Sequence, residues 1–264
     1  MPKISQSGQD DPRAVDERYP TAVTVADFTR NVAAVRLRIA DAARRAGRSP
    51  HDVTLLPVSK TVPTDRVRVA IDSGMRMLGE NKVQEALRKH GETADLDVSW
   101  SIIGHLQTNK ARDVASFATE FQALDRLRVA EALDRRLRAA GRTLDVFVQV
   151  NTSAEDSKFG MPPEELPTFL EALPSYETLR VRGLMTLALL TPDDARVREC
   201  FSLLRTLRDR AREDAPDLIG AGELSMGMSG DYEIAVEEGA TCVRVGQAIF
   251  GARSLPDSHY WPEG

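Results

Sequence analysis

Cysteine is nearly missing from this chain. Cys200 and Cys242 are the only two among 264 residues, and with one in a helical pattern and the other in a strand-like run they exclude a disulfide framework and read as reduced core thiols. No apolar run approaches the ~18 residues that a membrane-spanning helix needs, and the N-terminal MPKISQSGQDDPRAVDERYP has no apolar segment that could act as a secretion signal. The expected location is the cytoplasm, without membrane contact. A large excess of one charge sign is missing as well: the formal charge is −5, spread along the chain with no basic stripe. That excludes nucleic acid or an anionic membrane surface as a principal partner and leaves room for a local anion site. No metal-binding set is expected. What is present, 42% hydrophobic residues, suffices for a substantial core.

The first twenty or so residues are polar, carry three prolines and mixed charge, and read as a disordered or loosely attached arm. Residues 21–264 form the expected single domain. Thr24 followed by Asp27 has the form of a capping box, and Phe28, Val32, Val35 and Ile39 then recur at helical spacing before Gly47. From there short apolar runs alternate with charged helical patterns. The runs fall at 53–59, 75–79, 98–104, 120–125, 145–151, 180–188, 223–228 and 241–246. Helix signals between them include Thr64 before Asp65, Asn81 before Lys82, Pro162-Pro163 before Glu164, and Thr191-Pro192 ahead of Leu204 and Leu207.

Continuous apolar strands separated by helices indicate a parallel sheet covered on both faces. Eight such units point to an α/β fold, a (β/α)8 TIM barrel preceded by an N-terminal helix, although a doubly wound open sheet has the same alternation. In both architectures ligands bind at the carboxyl ends of the strands.

The residues at those ends include Ser59-Lys60-Thr61, Glu80-Asn81, Gly104-His105, Asn151-Thr152, Met228-Ser229 and Gly246-Gln247. Taken singly, Asn81, Thr152 and Ser229 read as caps of the helices that follow. Lys60 differs, because an amine leaving a buried strand into a barrel mouth is partly desolvated, which favours the neutral, nucleophilic form and makes Schiff-base chemistry plausible. Ser229 and Gly230 before the helix 231–238, and Gly246 and Gln247 after the last strand, offer backbone N–H groups suited to a phosphate dianion; the same glycines could simply make tight turns. Arg244, inside the last apolar run, must either point into the barrel or reach a carboxylate at the helix interface.

VSKT (58–61), GENKVQE (79–85), WSIIGHLQTNK (100–110), VNTSAEDSKFG (150–160), RGLMTLA (182–188), LSMGMSGD (224–231) and VRVGQAIFG (243–251) together resemble the pyridoxal phosphate homeostasis proteins, the YggS/PROSC family. The resemblance extends from the first helix to about Arg253. It implies a barrel like the N-terminal domain of alanine racemase that binds pyridoxal 5′-phosphate (PLP), with Lys60 forming the internal aldimine. Asn81 would contact the ring region and Met226, with Gly227, shape the ring pocket. Ser229 and the backbone at Gly246 and Gln247 would hold the phosphate, and Arg244 would face the pyridine nitrogen. Lys82 and Lys158 lie in motifs but read as helix and loop lysines. Two positions depart from the family pattern: Ser101 replaces a usual histidine, and Gln247 a common threonine.

Racemases of this type add a second domain with a catalytic tyrosine; here the sequence is expected to have no room for it, and none of Tyr19, Tyr176, Tyr232 and Tyr260 lies in a recognisable racemase-base stretch. The expectation is a non-catalytic, monomeric PLP carrier that serves PLP homeostasis, with PLP-dependent apoenzymes as recipients. The alternatives are a PLP-dependent amino-acid racemase and a (β/α)8 enzyme acting on a phosphorylated aldehyde or ketone without PLP.

Overall fold

A computed structural model describes residues 19–155 and 158–252. All but the last two residues of the expected N-terminal arm therefore lie outside the described residues, as does Tyr260. After helix α1 (Val25–Arg45), strands and helices alternate: β1 (Thr54–Pro57), α2 (Thr64–Asp72), β2 (Met77–Glu80), α3 (Val83–Glu92), β3 (Ser99–Ile102), α4 (Ala111–Phe117), β4 (Glu120–Leu124) and α5 (Leu127–Ala140). The second half continues with β5 (Leu144–Gln149), α6 (Leu166–Ala172), β6 (Leu179–Met185), α7 (Asp194–Asp214), β7 (Glu223–Ser225), α8 (Tyr232–Glu237), β8 (Cys242–Val245) and α9 (Gln247–Phe250).

The eight strands form one sheet in the order β1-β8-β7-β6-β5-β4-β3-β2, and every pairing is parallel. Just past β1, Val58 bridges Gly79 and the Ser59 N–H reaches the Gly79 carbonyl at 3.0 Å. That contact brings β1 back to β2, so the sheet is a nearly closed barrel and not the open alternative. Each of the eight apolar runs overlaps one strand, and β2, β5 and β6 extend one residue beyond theirs.

Local chemistry accounts for the main boundaries. Thr24 caps α1 by accepting the Asp27 N–H while Asp27 accepts the Thr24 N–H, a reciprocal box. Phe28, Val35 and Ile39 then face the core, and Phe28 meets Phe250 edge-on at 5.4 Å. α1 thereby packs beside α9 at the carboxyl end of β8. Gly183 in β6 lies so close to β7 that a Cβ would sit 1.9 Å from the Glu223 carbonyl oxygen. Both cysteines are buried free thiols, and burial pushes Cys242 up to about 12, which keeps it an inert thiol.

The capping expectations need correction. The N-cap of α3 is Lys82 and not Asn81, and that of α8 is Asp231 and not Ser229; the Thr152 hydroxyl bonds Thr186 Oγ1 at 2.9 Å across to β6. The Thr152 and Ser229 hydroxyls instead bond residues just past the carboxyl ends of β6 and β8.

Candidate functional site

Lys60 is half-buried at the carboxyl end of β1. The turn that carries it is clamped on both sides. Val62 N–H returns to the Ser59 carbonyl at 3.0 Å, Thr61 takes a left-handed φ of 66°, and the Thr61 N–H donates to Glu85 Oε1 at 2.9 Å. Beneath the turn lies Lys89, fully buried, whose Nζ donates to the Ser59 carbonyl at 2.7 Å, Glu80 Oε1 at 2.6 Å and Glu85 Oε1 at 2.8 Å. Ser59 Oγ also donates to Glu80 Oε1, at 2.6 Å. Both neighbours of Lys60 thus hang from one buried ion cluster. Burial pushes Glu80 up to about 7 against the pull of Lys89, and Glu80 Oε2 is buried without a partner among the described residues.

The loops after β7 and β8 meet this turn. Leu56 pairs with Arg244 and Pro57 with Val245, so Gly246 arrives beside Val58; a Cβ there would lie 3.1 Å from the Val58 carbonyl oxygen. The Gly246 N–H donates to Ser229 Oγ at 3.2 Å. A cavity of about 230 Å³ is lined by Lys60, Thr61, Arg66, Gly246, Gln247 and Phe250, among others. Arg66 borders it while donating to the carbonyls of Ala22 and Phe250, and burial holds its pKa below the usual arginine range. Gly227, at φ 93°, allows the loop after β7 to lie on α8, where a Cβ would come within 2.6 Å of the Ala235 Cβ.

Arg244 points into the barrel and away from the helix interface. It is buried, donating from Nη1 to Ser225 Oγ at 2.6 Å and from Nη2 to the Thr186 carbonyl at 2.8 Å. Ser225 Oγ passes its own proton to Gln122 Oε1 at 2.6 Å, and Gln122 Nε2 donates to Glu120 Oε1 at 2.7 Å. Ser101, at the position of the usual histidine, closes this column by donating to Glu120 Oε1 at 2.6 Å. Burial raises the Glu120 pKa and lowers that of Arg244.

The structure therefore brings Lys60, Gly246 and Gln247 together, ties Ser229 to them by one hydrogen bond, and sets Arg244 deeper in the wall. Asn81 emerges from β2, the strand beside β1, with its carbonyl so near the loop after β3 that a Cβ at Gly104 would lie 2.2 Å from it. Met226 is fully buried and lies outside the cavity lining. Lys158 donates to the Ala188 carbonyl at 2.8 Å and pairs with Glu155, a loop lysine as expected. Sequence reasoning missed Arg66 and the Glu80–Glu85–Lys89 cluster; the i,i+4 pair Glu85/Lys89 beside GEN was the available signal. It also gave no role to His105, which stacks on Phe159 at 4.0 Å and meets Arg126 Nη2 at 3.0 Å; burial and then Arg126 lower its pKa. Among the described residues no group of three or more His, Cys, Asp or Glu side chains could hold a metal, and no helix is long and apolar enough to cross a membrane.

Fold and site together define a lysine-bearing parallel barrel of the alanine racemase N-terminal type: residues 31–254 match the family described as alanine racemase, N-terminal domain. Among curated proteins, the pyridoxal phosphate homeostasis protein of Pseudomonas aeruginosa is 46% identical over 224 residues, 84% of this chain and 94% of that protein. The structure of PipY from Synechococcus elongatus with PLP bound superposes with a TM-score of 0.74 at 35% identity, covering 85% of this chain and 100% of PipY. Alanine racemase from Streptomyces lavendulae shares the fold at 18% identity and a TM-score of 0.68; the match covers 90% of this chain and 61% of the racemase. The chain belongs to the pyridoxal phosphate homeostasis protein family.

Proposed function

We propose that this protein binds PLP covalently through Lys60 and acts as a non-catalytic carrier in cytoplasmic PLP homeostasis, passing the cofactor to PLP-dependent apoenzymes. The observation that carries the reading is the cavity where Lys60 meets Gly246 and Gln247. The donor set suits the group. The Gly246 N–H donates to the Ser229 oxygen, which leaves the Ser229 O–H as a donor for a phosphate dianion, and the missing side chain at Gly246 lets the loop lie close to Val58. When bound, PLP supplies an aldehyde for primary amines and a pyridine ring that can withdraw electrons.

Each residue then has a distinct task. Lys60 Nζ is the attachment point. Ser229, Gly246 and Gln247 bind the phosphate, Gln247 through its backbone N–H in place of a threonine hydroxyl. Asn81 and Met226, which lie outside the lining of the cavity, are assigned to the ring region by the family resemblance alone. Arg244 is held by neutral partners, Ser225 and Thr186, so it remains a cationic donor that disfavours a proton on the pyridine nitrogen and restrains carbanion chemistry. The absence of catalysis is supported by the tyrosines among the described residues. Burial pushes Tyr232 up to about 12, too high for a base near neutral pH; Tyr19 donates to the Ser229 carbonyl at 3.4 Å, and Tyr176 packs against the core.

The test is to expose the purified protein to PLP, reduce with borohydride and map the modified peptide, with Lys60→Ala alongside. The label is expected on Lys60 alone. An unmodified Lys60 peptide sinks the cofactor assignment; racemisation of an amino acid at enzyme-like rates, lost in Lys60→Ala, sinks the carrier reading and favours the racemase.

A further inference from the structure

A larger cavity than the one beside Lys60 lies at the other end of the barrel. It has a volume of about 530 Å³ and is bounded by residues that precede β1, β7 and β8, namely Asp52, Gly222 and Thr241, by the end of α1, and by one face of α7. Small-molecule pockets span roughly 300–1,000 Å³, so a ligand larger than a bare ion fits. Four arginines line it: Arg48, Arg205, Arg208 and Arg212.

Of the three lining carboxylates, Asp52 acts by its charge on Arg48, and the other two are engaged by arginines outside the lining. Glu223 is bound by Arg182, and Glu237 by Arg45 and Arg198, both at 2.8 Å or less. Arg205 is matched by Glu238 at 2.7 Å. Arg48 spends Nη1 on the Val236 carbonyl at 2.7 Å, Arg208 spends Nη1 on the Gly222 carbonyl at 2.8 Å and Nε on Asp209 at 2.6 Å, and no hydrogen bond or ion pair of Arg212 is found among the described residues. Arg208 and Arg212 stand four apart on α7, a like-charge spacing that is mildly destabilising without a counterion. Their stems are seated by Gly222, where a Cβ would come 2.7 Å from the Arg212 Cδ and 3.1 Å from the Arg208 Cδ. Burial lowers the Arg48 pKa, Asp52 opposes that shift, and the charge of Arg208 adds to it. A built pocket with surplus guanidinium donors matches the geometry of a phosphate ester, which accepts several charge-assisted hydrogen bonds at once.

We propose that this pocket is a second anion site that takes a phosphorylated small molecule on the amino-terminal face of the barrel. It is independent of the Lys60 assignment. Titration calorimetry with inorganic pyrophosphate as probe, on protein loaded with PLP and dialysed free of excess PLP, tests it. The intact protein is expected to bind, and Arg212→Ala to weaken binding about tenfold, the effect of one lost charge-assisted contact. Arg212 is exposed, so its loss should leave the melting temperature unchanged, while Arg212→Lys should restore part of the affinity. Absence of binding at millimolar pyrophosphate overturns the proposal, as does equal affinity in the intact protein and Arg212→Ala.

Discussion

Replacing Lys89 by methionine tests whether the Lys60 turn is held from below. The substitution keeps a long apolar stem and removes the cation from a site with no solvent exposure. Ser59 loses its 2.7 Å donor, and Glu80 loses the partner that opposes its desolvation. Breaking a buried ion pair from one side costs ~3–5 kcal/mol. Glu80 escapes part of that by taking a proton, since burial already pushes it to about 7 with the lysine present. A carboxyl whose folded pKa lies above its unfolded value contributes stability that is complete below the unfolded value and lost as pH rises through the folded one. In the native chain that loss is finished just above 7; without Lys89 the Glu80 pKa climbs further and the loss continues at higher pH. At about pH 8 the variant should therefore lose ~3 kcal/mol, and less at about pH 6. For a chain of this size that is a fall in melting temperature of roughly 6–12 °C. Thermal melts followed by circular dichroism at both pH values measure it, and competitive amine labelling of the cofactor-free protein reads Lys60 directly. Lys89→Met should change the Lys60 labelling rate and Lys89→Arg should recover part of it. A melting temperature within ~2 °C of the native value, or a larger loss at the lower pH, refutes the reasoning.

Three further outcomes follow from the geometry. Gly183→Ala drives a methyl group into the Glu223 carbonyl, so β6 and β7 must separate; it should cost at least ~3 kcal/mol by urea denaturation or abolish soluble expression. Arg244→Met removes two buried donors, stranding Ser225 and Thr186, and should cost ~2–3 kcal/mol in the same assay. Ser229→Ala removes the acceptor of the Gly246 N–H and one hydroxyl donor from the proposed phosphate cradle; PLP affinity should drop ~5- to 10-fold by absorbance titration, with little change in melting temperature.

The barrel is legible because each βα unit writes its period locally. The apolar run 53–59 contains β1 and the run 241–246 contains β8 without any knowledge of their pairing. Boundaries blur where the third dimension intervenes. The apolar run 223–228 ends as a strand at Ser225, because Gly227 turns the chain across α8, and Asn81 yields the cap of α3 to Lys82 where the loop after β3 presses on its carbonyl. The site divides in the same way. Lys60 stands out because a charge follows an uncharged strand. Lys89 does not, since a lysine four residues after Glu85 has the pattern of an exposed helix pair; only tertiary packing reveals that it is fully buried beneath Ser59.

The polar column inside the barrel joins residues that are far apart in the chain. Ser225 and Gln122 touch although 103 positions separate them, so no window of sequence contains the contact. A barrel interior is usually filled by branched apolar side chains, and replacing a buried charge network by hydrophobic residues of equal volume is often neutral or stabilising. Glu120, Gln122, Ser225 and Arg244 are therefore poor candidates for the source of this fold's stability. What the column does supply is direction: Gln122 fixes Ser225, and Ser225 with the Thr186 carbonyl fixes both terminal nitrogens of Arg244. A guanidinium restrained at two points loses little entropy when a ligand arrives. On the proposed function, an energetic burden carried inside the wall becomes a pre-oriented cation for the cofactor ring, two residues before the glycine that lines the Lys60 cavity.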